Sequence, residues 1–312
     1  MANNSFLNKL LAIHPIVEIL VRKIYWLNFN FFSNFKKSNS KNFELKSFEK
    51  IKSQLLKFGL IEGDILVLHS SFDCLHNTLK SPTNIINELL LLVGDKGTLV
   101  MNASRSFPED KKNKDYLWTE YNNDVVVYDV KKSRVWTGVL PHTMVKDKRS
   151  IISRFPINPI VAIGFKSLDI TENNTIGKFP CGLNSSWKYC VDHDALIVGI
   201  GVDLTHSLTI IHVAEDVLGL NWPIKNWYRD RKFRVIDAEN NFDKILDIKE
   251  RHPKWGTLHF AERTLCKDLL KVGILKTELI DGVLVESLRA KDLIEFLNQK
   301  NQNGYPYFFT NF

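Results

Sequence analysis

The sequence predicts a layered α/β domain, and three observations lead there. Short apolar runs bounded by turn residues, the pattern of buried strands, alternate with longer segments of helical spacing. Glycine and proline punctuate the ends of these segments rather than their interiors. The chain has 312 residues, 44% of them hydrophobic and 11% aromatic, enough to fill the interior of a domain that buries about three quarters of its unfolded surface.

The elements follow in order. Residues 48–58 place Ile51, Leu55, Leu56 and Phe58 at helical spacing and end at Gly59; Gly63-Asp64 then turns into the buried run 65–68. Residues 82–93 read as a helix with Pro82 in its first turn and Gly94 behind it. Residues 97–101 are the next strand, and 195–199 repeat the pattern ahead of a helical stretch over 208–218. A helix over 265–272, a short strand region over 273–285 and a final helix over 290–298 complete the chain, without internal repeats.

Residues 1–42 form a separate amphipathic and aromatic extension, leaving 43–312 as the domain. Lys9, His14, Pro15 and Glu18 interrupt the apolar stretch 6–21, so it offers neither a membrane span nor a secretory signal. Two readings stand: packing on the body or on a second copy in a homodimer, or an interfacial helix touching a membrane through residues 1–37, with Trp26, Phe29, Phe31 and Phe32 beside Lys36 and Lys37. Four cysteines without metal-binding spacing predict reduced thiols in a cytoplasmic protein, in the second reading at the inner membrane face. The net charge of +7 favours anionic ligands and by itself indicates no nucleic acid.

Chemistry concentrates in a few places. In the 208–218 stretch, helical phase sets Leu208, Ile211, Ala214, Val217 and Leu218 on one stripe and His212, Glu215 and Asp216 on another. His212 and Glu215, three apart, are spaced for a carboxylate to orient an imidazole base; the bland alternative is a solvated helix face. His69-Ser70-Ser71 leaves the strand at 65–68, where α/β folds place ligand groups and where serines also make ordinary turns. The loop 177–186 is rich in special residues but lacks a phosphate-loop fingerprint. Asp192, His193, Asp194, Asp203, His206 and His212 have no recognisable metal spacing, so no metal is expected.

Three segments in order, 63–71, 95–101 and 196–215, resemble the aminoglycoside 3-N-acetyltransferase family, with Tyr128-Asp129, Trp136-Thr137-Gly138 and the Gly182–Ser186 loop similar to further family segments. The resemblance runs from about Phe43 and weakens after Phe233. It implies a three-layer α/β/α fold with a central mixed sheet, and transfer of an acyl group from acetyl-CoA or another acyl-CoA to the amine of a sugar. His212 is then the expected general base with Glu215 as its partner. His69, Ser70, Ser71, Thr98, Gly182, Ser185 and Ser186 are the expected cosubstrate-binding residues; Asp203 and Thr209 join the acceptor side, with Asp129. Phe155-Pro156-Ile157-Asn158-Pro159 departs from the family pattern by lacking its polar residue and its serine, so that Asn158 would act from a shifted position.

Arg134, beside Lys131 and Lys132, and Arg229, beside Lys225 and Arg231, suggest an acceptor carrying a diphosphate, a nucleotide-linked amino sugar of surface-polysaccharide synthesis. The alternatives are a free aminoglycoside, as in drug resistance, and a CoA-binding protein without catalysis. Cys181 is the one cysteine placed to carry a covalent acyl intermediate.

Overall fold

The computed structural model describes residues 45–107, 124–252 and 260–307. The N-terminal extension, with its packing, membrane and dimer readings, lies outside the described residues. Among them, no helix is long and apolar enough to cross a membrane.

Helix α1 (Phe48–Lys57) starts where the Ser47 side chain accepts the Lys50 N–H. It leads into β1 (Ile65–Ser70) and the short α2 (Phe72–Leu75). Helix α3 (Pro82–Val93), capped by Ser81, crosses over to β2 (Thr98–Asn102). The chain continues through β3 (Val126–Asp129), α4 (Val139–Lys146), β4 (Ile151–Ile152), β5 (Ile160–Gly164), α5 (Ser167–Glu172), α6 (Ser186–Asp192) and β6 (Leu196–Ile200). After a broken helical segment that includes α7 (Val213–Asp216) come β7 (Tyr228–Asp237), β8 (Phe242–Arg251), α8 (Phe260–Lys271), β9 (Lys276–Ile280), β10 (Val283–Arg289) and α9 (Ala290–Lys300).

The main sheet has seven strands in the order β4-β5-β2-β1-β6-β10-β9. Only its centre is parallel: β1 pairs with β2 and with β6 in the same direction, while β5, β4, β10 and β9 join antiparallel. The central runs of the parallel strands are apolar because both of their faces are covered. Leu66 and Leu68 of β1 enter a core with α1 and α3, whereas Ile65 and Val67 pack on the opposite side with residues of α6, α8 and α9. This is the expected three-layer arrangement around a mixed sheet.

A second sheet, β3-β7-β8, was not foreseen. Its β7–β8 hairpin runs in unbroken register from Tyr228↔Arg251 to Asp237↔Phe242. Alternation in Lys232-Phe233-Arg234-Val235 signals a half-buried strand, and Tyr128, Phe233, Val235 and Ile248 carry the sheet's inner face into the first core. The strand region expected over 273–285 is a hairpin of β9 and β10 turned by Asp281-Gly282, both with positive φ.

The 208–218 stretch is not one α-helix. A 3-10 turn (Thr209–His212) precedes α7, and the three-residue turn shifts the phase of every side chain after it. Leu208, Ile211 and Ala214 of the expected apolar stripe are buried and are joined by Ile210 and Val213, while Val217 and Leu218, expected in the same stripe, are 36% and 40% exposed.

The carboxyl ends of β1, β2 and β6 lie side by side. Gly201, leaving β6 at φ +68, has the Cys74 side chain so close that an added Cβ would meet Cys74 Cβ at 2.5 Å. Gly201→Ala combines left-handed backbone strain with overpacking, so a loss of about 2–4 kcal/mol is expected in urea denaturation. An unchanged midpoint would show that this exit is not tightly packed.

Candidate active site

A cavity of about 490 Å³ opens at the carboxyl ends of the parallel strands, the place where open α/β sheets hold ligands. β1 delivers Leu68, His69 and Ser70; β2 delivers Asn102, followed by Ser104. The segment after β6 supplies Val202, Thr205, Ser207, Thr209 and His212, and Trp136, Thr137, Asn158, Arg251 and Glu262 close the remaining sides.

His212 is held from behind. Its Nδ1 lies 3.1 Å from both carboxylate oxygens of Glu215, which is buried at 2% exposure. A carboxylate only accepts, so Nδ1 carries the proton and Nε2 keeps the lone pair of a base. The indole Nε1 of Trp227 donates to Glu215 Oε2 at 3.2 Å and fixes the carboxylate in turn. The solvated helix face is therefore not what forms: Glu215 and Asp216 are both buried. Asp216 accepts the Cys181 N–H at 2.8 Å and the Tyr228 hydroxyl at 2.9 Å. Burial, and next the neighbouring Glu215 charge, push Asp216 up to about 7.

Asn102 organises the other wall. Its Nδ2 donates to the Thr209 hydroxyl at 2.8 Å, its Oδ1 accepts from the Ser104 N–H and hydroxyl, and its carbonyl accepts the Thr137 hydroxyl. Sequence reasoning missed Asn102, although a polar residue ending an apolar strand run is the signal that brought out His69. It also missed Arg251 and Glu262, which reach the cavity through the unforeseen hairpin and α8.

The sequence-derived residues divide. His69, Ser70, Asn158, Thr209 and His212 line the cavity, with Glu215 directly behind His212. Asn158, at φ +49, has its carbonyl occupied by the Trp187 indole at 2.8 Å. Asp203 is adjacent in sequence to the lining Val202, but its carboxylate caps a 3-10 turn by accepting the Thr205 N–H.

The structure does not bring the others to the cavity lining. Thr98 pairs with Ile65 at the amino end of β1, a full strand length away, and its hydroxyl accepts the Lys166 N–H. Ser71 donates its N–H to the Ile200 carbonyl ahead of α2. Gly182 closes a turn onto Phe179, Ser185 caps α6, and the Ser186 hydroxyl meets Asn174. Asp129 caps its own turn by accepting the Lys131 and Lys132 N–H groups. Arg134 is exposed on the surface, and Arg229 is bound to Glu250 at 2.8 Å. The diphosphate-binding pair expected from charge does not form at this cavity: Arg229 is held in an ion pair across the hairpin, and neither arginine lines the cavity.

Neither Cys181 nor the Asp192–Asp194 turn lines the cavity. Cys181 is fully buried and its thiol is pushed well above its ordinary value by burial and by Asp216, which suppresses the thiolate an acyl intermediate needs. Asp192 pairs with Lys188 and His193 stacks on Tyr189, and among the described residues no cluster of metal ligands forms.

Fold and site together define an α/β protein that holds a carboxylate-anchored imidazole at the carboxyl edge of its parallel strands. The aminoglycoside 3-N-acetyltransferase family model matches residues 67–301, and the chain belongs to that family of N-acetyltransferases. Aminoglycoside N(3)-acetyltransferase III of Serratia marcescens is 25% identical over 268 residues, covering 81% of this chain and 96% of that protein. The solved structure of AAC-IIIb in binary complex with CoASH superimposes with a TM-score of 0.65 at 18% identity, over 84% of this chain and 98% of that one. An AAC(3)-IVa variant in complex with gentamicin gives a TM-score of 0.65 at 18% identity, over 87% and 93%.

His69 gives the site a pH signature. It is 8% exposed, its Nε2 has no hydrogen-bond partner, and burial pushes its pKa down to about 4. Between about 6.5 and 4 the unfolded imidazole binds a proton that the folded one refuses, so stability attributable to His69 falls as pH falls through that window, by up to about 3 kcal/mol. Urea titrations of wild type and His69→Gln at pH 7 and pH 4.5 check this. The variant should gain on wild type as pH drops; a pH-independent difference would contradict it.

Proposed function

We propose that this protein transfers an acetyl group from acetyl-CoA directly to a primary amine of an aminoglycoside-type amino sugar, with His212 as general base. The observation that carries the reading is the His212–Glu215 pair at the cavity wall, its proton held on Nδ1 and its lone pair left on Nε2. An acceptor ammonium must be deprotonated before its nitrogen can attack the thioester. His212 Nε2 takes that proton, and Glu215 stabilises the imidazolium that results. The nitrogen–carbon bond forms as the carbon–sulfur bond breaks, and the CoA thiolate leaves and takes up a proton. Ser70 and Thr209, the latter oriented by Asn102, offer hydroxyls at the same cavity to the cosubstrate or the developing oxyanion.

The choice of acceptor rests on two supports. The related proteins are named for aminoglycosides, and one solved relative holds gentamicin. The arginines that argued for a nucleotide diphosphate are engaged or placed elsewhere. A non-catalytic CoA-binding role is the weaker reading, since it leaves the buried His212–Glu215–Trp227 arrangement without a purpose.

The assay is thiol release from acetyl-CoA with free aminoglycosides and nucleotide-linked amino sugars side by side. Free aminoglycosides should be the faster acceptors; faster nucleotide sugars would reverse the acceptor assignment, and CoA binding without turnover on any amine would favour the non-catalytic role. His212→Gln should lower kcat by about a hundredfold or more with acetyl-CoA affinity nearly unchanged, and Glu215→Gln should cost less. Near-normal turnover in His212→Gln would remove the base assignment.

A further inference from the structure

An indole left in water on a firmly held backbone forfeits the burial that so large a side chain can gain. Trp136 lines the cavity with 65% of its surface exposed, and it is the one exposed residue among the described lining. Its backbone is tightly tied. Residues 134–137 run antiparallel to the exit of β2: the Ser106 N–H donates to the Arg134 carbonyl at 2.9 Å, Val135 bridges to Arg105, the Trp136 N–H donates to the Ser104 carbonyl at 3.1 Å, and the Thr137 hydroxyl donates to the Asn102 carbonyl at 2.7 Å. The buried Arg105 guanidinium holds the preceding turn by donating to the Ser133 and Val130 carbonyls, both at 2.8 Å. Successive side chains of an extended segment point to opposite sides. Val135 packs on the first core, so the pairing turns Trp136 away from it and toward the cavity.

We propose that Trp136 is the platform on which the acceptor lies: its indole face receives one sugar ring of the acceptor, with the ammonium groups that ring bears, and makes Trp136 a specificity-determining residue of the proposed acetyl transfer. The inference rests on an aminoglycoside-type acceptor. The face of an indole is the negative side of its quadrupole and attracts cations, more strongly than the face of Tyr or Phe. An acceptor with several ammonium groups uses one in the reaction and keeps the others charged, and the C–H face of a ring bearing them is electropositive. The cosubstrate offers the indole no cation, and its phosphates are repelled by that face. Placement agrees with the chemistry. Thr137 is bonded to Asn102, and Asn102 to Thr209, three residues before His212, so Trp136 and the imidazole belong to one wall. Arg134, two residues earlier on the same side of the segment, does not reach the lining, which leaves the indole and not a guanidinium to meet the ring.

Two substitutions separate an aromatic face from apolar bulk. Trp136→Leu keeps the bulk and removes the face, whereas Trp136→Phe keeps a weaker face; both sites being exposed, the variants should melt close to wild type. With gentamicin, or with the fastest aminoglycoside of the thiol-release assay, Trp136→Leu should raise the acceptor KM about three- to thirtyfold and Trp136→Phe should raise it less. In both variants kcat and the KM for acetyl-CoA should stay within about twofold of wild type, the pattern of lost uniform binding. An acceptor KM unmoved in Trp136→Leu, or moved equally by Leu and Phe, overturns the inference. A raised KM for acetyl-CoA with the acceptor KM unmoved gives the face to the adenine of the cosubstrate and overturns it too, as does a fall in kcat that follows a lowered melting temperature. A wild type that acetylates no aminoglycoside refutes the acceptor reading beneath the inference; an active wild type beside unmoved KM values refutes this inference alone.

Discussion

Placing two adjacent carboxylates away from water costs several kcal/mol for each unless donors and an opposing charge are supplied. The neighbourhood of Glu215 and Asp216 is organised by that requirement. The donors come from three separate stretches of chain: the His212 imidazole, the Cys181 backbone, and the Trp227 indole with the neighbouring Tyr228 hydroxyl, with Arg251 of a fourth stretch as the cation. No one of these stretches can satisfy the pair alone. The His212–Asp216 segment, the loop before α6 and the β7–β8 hairpin must therefore assemble together, and the His212 imidazole is in position only when they have.

The sheet supplies the other half of the site. Its three parallel strands are apolar on both faces because helices cover one side and helices with the small sheet's inner face cover the other. Polar side chains can appear only where the strands end. His69, Ser70 and Asn102 stand at those ends, and the segment following β6 brings Thr209 and His212 to the same edge. The Asn102–Thr209 bond joins the two contributions, so the cavity wall is continuous from β2 to His212.

Local patterns were legible where a single segment decides the outcome. The helix ends marked by Gly59, Pro82 and Gly94, the strand runs of β1, β2 and β6, and the three-residue spacing of His212 and Glu215 depend on neighbours in the chain. The register after Leu208 was not legible, because a 3-10 turn and an α-turn fit the same residues and burial of Ile210 and Val213 chose between them. Nor was the meaning of the charges. Arg229 is as basic in sequence as any phosphate ligand, and only the hairpin register sets Glu250 opposite it.

By itself the sequence determined the alternating α/β character, the apolar strand runs, the family resemblance and the three-residue spacing of His212 and Glu215, all of which are set by residue type and short-range spacing. The tertiary structure alone decided that Asn102, Arg251 and Glu262 reach the cavity, that Thr98, Ser185 and Ser186 do not line it, and that Asp216 is buried next to Glu215. The physical reason is that a side chain's burial and partners belong to contacts between segments distant in sequence, such as the 35 residues separating Cys181 from Asp216, which no local periodicity encodes.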